Sequence, residues 1–126
     1  MDKKQALIER YIRAYNAFDV EGMLAGLHPD ITFRNLVNGE VTLELHGIEA
    51  FRKQAEEAKA YFREREQRIT AIDASEADII SVSIDYQGIL AVDLPNGLKA
   101  GDEMRLSGKS VFRFREGKII GIEDLS

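Results

Sequence analysis

Two long runs of alternating side chains set the frame for any fold this sequence can adopt. Ile80, Val82, Ile84 and Tyr86 alternate with Ser81, Ser83, Asp85 and Gln87. Met104, Leu106, Gly108, Ser110, Phe112 and Phe114 are opposed by Glu103, Arg105, Ser107, Lys109, Arg113 and Arg115. A period of two sends neighbouring side chains to opposite faces, so each run predicts a half-buried β-strand. Pro95-Asn96-Gly97 separates the two runs, and Glu116-Gly117 makes a tight turn before a last strand over Lys118 to Leu125. Both long strands contain a glycine, Gly88 and Gly108. A glycine inside a strand marks a bulge or bend, and bent strands let a sheet curl.

The first half of the chain has a different period. Leu7, Ile8, Tyr11, Ile12, Tyr15 and Phe18 recur at helical spacing, with Glu9, Arg10 and Arg13 on the other side. Asp2 caps this helix and Gln5 completes a capping-box pattern. Asp19 opens a short second helix through Met23, Leu24 and Leu27, which Pro29 brings to an end at His28. Strands over Ile31 to Val37 and Glu40 to Leu45 flank Asn38-Gly39, the dipeptide that supplies the positive φ angles of a type I′ hairpin turn. After Gly47 a longer helix carries Ile48, Phe51, Ala55, Ala58 and Phe62 on one face. The alternating-sign run Arg63-Glu64-Arg65-Glu66-Gln67-Arg68 reads as a solvated helix end passing into an edge strand, with Ile69 to Ala74 as that strand. Helices laid across the concave side of a curled sheet leave a cavity between the two layers. The fold class is α+β, with N-terminal helices packed on a curled antiparallel sheet.

Composition excludes several functions. At 126 residues the chain is the size of one domain, taken here as 1–126. With no cysteine it has no disulfide, thiolate metal site or thiol nucleophile. A net charge of −5 and a pI near 5.1 leave no basic face for nucleic acid. No stretch of eighteen apolar residues suits a membrane span, and no apolar segment follows the N-terminus, so the chain reads as cytoplasmic. His28 and His46, the two histidines, have no partner at a metal-ligand spacing, and no phosphate loop, dinucleotide fingerprint or nucleophile elbow is present. The expectation is therefore no metal and no cofactor.

Helix, short helix, hairpin, long helix and then long strands is an order that resembles the cone-shaped nuclear-transport-factor-2-like fold, and within it the SnoaL-like group. The residues carrying the likeness are Tyr15-Asn16-Ala17-Phe18-Asp19, His28-Pro29-Asp30 and His46-Gly47-Ile48-Glu49-Ala50-Phe51, followed by Ser107-Gly108 and Gly117-Lys118-Ile119 with Asp124. The group includes polyketide cyclases and lies beside the ketosteroid isomerases. The resemblance to the isomerases matches their oxyanion-hole tyrosine with Tyr11, their catalytic base with Asn35 and their neutral carboxylic acid with Ser110. An amide cannot accept a proton at useful pH, which argues against ketosteroid-type isomerisation. The resemblance to the cyclases matches their acid/base aspartate with Asp124, and a histidine on the preceding strand with Phe112.

These matches and the residue pattern nominate Asp124 as the catalytic candidate and Tyr11, Tyr15, Asn35, Phe51, Ser110 and Phe112 as the lining of a small-molecule pocket. Burial would raise the Asp124 pKa into a range useful for proton transfer, whereas a strand-end carboxylate in water, or paired with an arginine such as Arg105, would do no chemistry. Tyr11 and Tyr15 lie four apart on one helix face, as pocket donors or as core residues with satisfied hydroxyls. Ser110 and Asn35 interrupt apolar faces and serve either a ligand or local backbone. Three functions follow as expectations. The first is a cofactor-free acid/base enzyme acting on an apolar, oxygen-bearing molecule. The second is a binding or sensing module without chemistry. The third is an interaction domain, the resemblance implying a homodimer through the outer sheet face around Ser81, Ser83, Lys109, Val111 and Arg113.

Overall fold

The computed structural model describes residues 2–126. Three α-helices and six strands follow the expected order: α1 (Lys3–Asn16), α2 (Val20–Leu24), β1 (Leu27–Val37), β2 (Glu40–His46), α3 (Ile48–Ala58), β3 (Phe62–Glu76), β4 (Ile79–Leu90), β5 (Glu103–Arg115) and β6 (Lys118–Leu125). The strands form one sheet in the order β2-β1-β6-β5-β4-β3. Four of its five pairings are antiparallel, and β1 and β6 run parallel where the N-terminal hairpin joins the C-terminal strands.

Local chemistry accounts for most boundaries. The Asp2 carboxylate accepts from the Lys4 amide, and Asp19 Oδ1 accepts from the Gly22 amide at 3.0 Å, so both helices start on an aspartate cap. Asn38 and Gly39 take φ values of 53° and 82°, the two positive angles a type I′ turn needs. The short helix α2 ends at Leu24, before Pro29, and the chain is already extended at Leu27. Pro29 instead lies inside β1, where the β1–β6 register slips between Leu27 and Thr32; an irregularity of that kind tolerates a residue with no N–H.

Besides the early end of α2, two further expectations are corrected. Phe62 does not continue α3: a 3-10 turn over Lys59–Tyr61 unwinds the helix, and Phe62 opens β3 with φ −124° and ψ 138°. The charged run that follows is strand from its first residue, and it is not uniformly solvated. The alternation running back from Ile69 places Gln67 and Arg65 on the helix-facing side, while Glu64, Glu66 and Arg68 face water. Arg65 is buried.

Helix α1 packs on β3 and β6, and α3 packs on β1 and β2. Ile8, Tyr11, Ile12, Met23, Leu24, Phe51 and Ala55 meet Ile80, Val82, Phe112, Phe114 and Ile122 between these layers. Toward the Phe114–Ile119 end of the sheet the side chains between the layers are buried, and toward the other end the layers part around a cavity.

Candidate active site

Strand register builds the polar floor of this cavity. Asn35 of β1 pairs with Asp124 of β6, Asp124 with Ser110 of β5, and Ser110 with Val82 of β4. Directly paired residues share a face of the sheet, so one row crosses three adjacent strands as Asn35, Asp124 and Ser110. The neighbouring row is Leu45, Phe33, Ile122, Phe112 and Ile80, wholly apolar. One step along the sheet, Ile122, Phe112 and Ile80 of this row are sealed in the core, while Phe33 and Leu45 at its other end reach the cavity.

The cavity has a volume of about 440 Å³, within the usual range for small-molecule sites, and its walls are mainly apolar. Met23, Phe33, Leu43, Leu45, Phe51, Phe62, Ile84 and Met104 supply most of that surface. Tyr11, Tyr15, Asn35, Phe51, Ser110 and Asp124 all border it. Phe112 does not; it is buried behind the wall, its ring edge-on to Tyr11 at 5.9 Å.

Asp124 is the one side-chain carboxylate that borders the cavity among the described residues. Its Oδ1 accepts a hydrogen bond from Ser110 Oγ at 2.6 Å. The residue keeps some solvent access through the open cavity, but protein encloses the carboxyl group, and burial pushes its pKa up to about 6 against the opposing pull of the Ser110 hydroxyl. Arg105, the alternative partner, pairs with Glu103 instead. Asn35 borders the cavity, and its Nδ2 donates to Thr42 Oγ1 at 2.8 Å.

The helical wall carries the tyrosines. Tyr11 is 7 % exposed and packs against Phe51 and Phe112. Burial first, then the nearby Asp124 charge, hold its hydroxyl well above the usual phenol range, so it stays a neutral donor. Tyr15 and Tyr86 share a hydroxyl–hydroxyl hydrogen bond of 3.0 Å, and burial raises the pKa of both. Tyr86 extends the alternating face of β4, but a role beside Tyr15 could not be read without the α1–β4 contact. The end of α1 is fastened to β3 by Asn16, which donates to the Gln67 carbonyl at 3.0 Å and accepts from the Gln67 amide at 2.7 Å.

Neither histidine reaches the cavity. His28 Nδ1 accepts from the Asp30 amide at 3.0 Å, and His46 Nε2 lies 2.8 Å from Glu44 Oε2 on an exposed strand end. Among the described residues no group of three His, Asp or Glu side chains is placed to hold a metal ion, and no helix is long and apolar enough to cross a membrane.

Helices on the concave face of a curled six-stranded sheet, enclosing a cavity with tyrosines above and a carboxylate below, define the nuclear-transport-factor-2-like α+β cone. Within that class the chain belongs to the SnoaL-like domain family, whose profile matches residues 8–122. No curated protein sequence matches it. Among solved structures it is similar to a provisionally assigned polyketide cyclase from Xanthomonas campestris pv. campestris, with TM-score 0.83, 22% identity and coverage of 98% of this chain and 90% of that one. An uncharacterised cystatin-fold protein from Novosphingobium aromaticivorans gives TM-score 0.79 at 20% identity, covering 100% and 99% of the two chains. An NTF2-like protein of unknown function from Burkholderia pseudomallei gives 0.76 at 19%, covering 98% and 90%. At these identities the likeness is one of fold.

Proposed function

We propose that the cavity binds a small, largely apolar molecule bearing a carbonyl or hydroxyl oxygen, and that Asp124 moves a proton on it without a cofactor. The observation that carries this reading is the enclosed Asp124 carboxyl, hydrogen-bonded to Ser110 and bordering the same cavity as Tyr11. With its pKa pushed up to about 6, the carboxylate is a stronger base than a solvated aspartate yet is mostly ionised at neutral pH. A C–H proton next to a carbonyl would pass to Asp124, and the negative charge left on the carbonyl oxygen would be met by a tyrosine O–H. The carboxylic acid so formed returns the proton to the same carbon, to another carbon in an isomerisation, or, where the enolate carbon has closed onto a second carbonyl of the same molecule and broken its C=O π bond, to the alkoxide oxygen that closure leaves. No atom is lost in any of these cycles. Asn35 stands where an isomerase would carry its base, so Asp124 alone bears the proton.

The test is solvent-deuterium exchange into 2-tetralone, an apolar ketone with acidic α-protons, followed by NMR. The wild-type chain should accelerate exchange and Asp124→Asn should not. If 2-tetralone binds and exchange is no faster than in buffer, the cavity is a binding module without chemistry. The same reading includes pairing of two copies through the outer face around Val111, which light scattering at micromolar concentration checks; a monomer there contradicts it.

A further inference from the structure

The one buried cation of the described core lies behind the tyrosine wall and outside the proton-transfer scheme. Arg65 is 6 % exposed, and its guanidinium stacks 3.7 Å from the ring centre of Tyr15 and 4.4 Å from that of Phe18. Its Nε donates to the Tyr15 carbonyl at 2.9 Å, while Nη2 is buried with no hydrogen-bond partner. No carboxylate forms an ion pair with it among the described residues. The protein sets two ring faces and one carbonyl against this largely buried charge, and a field in such surroundings is weakly screened.

We propose that Arg65 is a specificity-determining residue, an unpaired cation behind Tyr15 that makes the Tyr15–Tyr86 end of the cavity select ligands whose oxygen carries negative charge, such as a phenolate or the enolate of a 1,3-dicarbonyl. The proposal rests on the reading of the cavity as a small-molecule site. The paired tyrosines own two O–H groups and spend one on each other, so one remains to donate to a ligand. The Arg65 charge on the face of the Tyr15 ring strengthens that donation, and it acts in the same sense on Tyr11 and Tyr86. The other titratable side chains bordering the cavity are Asp124 from β6 and Lys109 from β5. Ionised Asp124 repels an anionic oxygen, which sorts that oxygen toward the tyrosines and leaves the apolar ring of the ligand along Phe33, Phe51 and Leu45.

The experiment uses 4-nitrophenol, whose visible spectrum reports its ionisation, and 4-nitrotoluene as its uncharged isostere. On the wild-type chain, 4-nitrophenol should bind with its own pKa lowered, and 4-nitrophenolate should bind more tightly than 4-nitrotoluene. Arg65→Met should weaken 4-nitrophenolate by about tenfold and leave 4-nitrotoluene unchanged, with Arg65→Lys restoring most of the difference. If Arg65→Met weakens both ligands equally or neither, Arg65 is only a strut for α1 and the inference fails while the cavity reading stands. If neither compound binds the wild-type chain, both fail together. Should Arg65→Met not fold, as judged by circular dichroism, the wild-type comparison decides: an unshifted 4-nitrophenol pKa overturns the proposal.

Discussion

Ser110 Oγ and Asp124 Oδ1 are 2.6 Å apart across directly paired positions of β5 and β6. The hydroxyl donates to the carboxylate, so it favours the ionised form and opposes the upward push of burial. Two neighbouring strands thereby set the proton affinity of the group on which the proposed chemistry depends.

Ser110→Ala removes that donor without adding bulk. The Asp124 pKa should rise above its wild-type value near 6, moving the rising limb of a pH–rate profile to higher pH. Exchange into 2-tetralone measured across pH checks this. An unmoved limb would mean that the hydroxyl does not tune the carboxylate.

Asp124→Asn should stabilise the fold while removing activity. An aspartate whose pKa is raised on folding binds its proton more tightly in the native state, so its contribution is most favourable below its unfolded pKa of 3.8 and is lost as pH rises through about 6. Asparagine does not titrate. The variant and the wild type should therefore differ little near pH 3.5, and the variant should gain up to about 3 kcal/mol relative to wild type by pH 7, less in so far as the open cavity admits water. Urea melts at the two pH values measure the difference; a gap independent of pH would contradict the burial of the carboxyl.

Tyr11→Phe separates binding from folding. The Tyr11 hydroxyl hydrogen-bonds no group among the described residues, so its loss should change stability by less than about 0.5 kcal/mol. Ligand affinity or exchange rate should fall about tenfold, the cost of one missing donor to a developing oxyanion. Tyr15→Phe, by contrast, breaks a bond within the protein and should cost about 1 kcal/mol in stability.

Gly108→Ala tests the close approach of β5 to the end of β6. A Cβ at Gly108 would lie 2.4 Å from the Leu125 carbonyl oxygen, a backbone atom with little freedom to move away. The substitution should cost about 2 kcal/mol and displace the residue next to Asp124, reducing exchange even where the chain remains folded. Thermal melts and rates on the same sample check both effects.

Particular residues show which parts of this arrangement were legible in the sequence. The alternation at Ile80–Tyr86 and around Ser110–Phe114 marked the adjacent strands β4 and β5, and Asn38-Gly39 and the Asp19 cap were recognisable because each carries its own local geometry. Asp124, Tyr11, Tyr15, Asn35 and Ser110 were nominated partly through family resemblance, and the register explains why three of them fall in one row. The parallel β1–β6 pairing was not legible, since it depends on contact between segments about ninety residues apart. Arg65 was hidden by its neighbours: the charges on either side of it are solvated, and only the phase running back from Ile69 through Gln67 marks it as inward-facing. Phe112 shares the alternation of Ser110 but lies one row deeper, where Tyr11 covers it, and periodicity alone cannot distinguish cavity wall from core.

The most direct measurement is the titration of the Asp124 side-chain carboxyl carbon by NMR, assigned by comparison with Asp124→Asn. A midpoint near 6 is expected in the free chain, with a shift of that midpoint when 2-tetralone occupies the cavity. A midpoint near the ordinary 3.8 that is insensitive to the ligand would contradict that expectation, leaving Asp124 a solvated strand-end carboxylate and the cavity without a base.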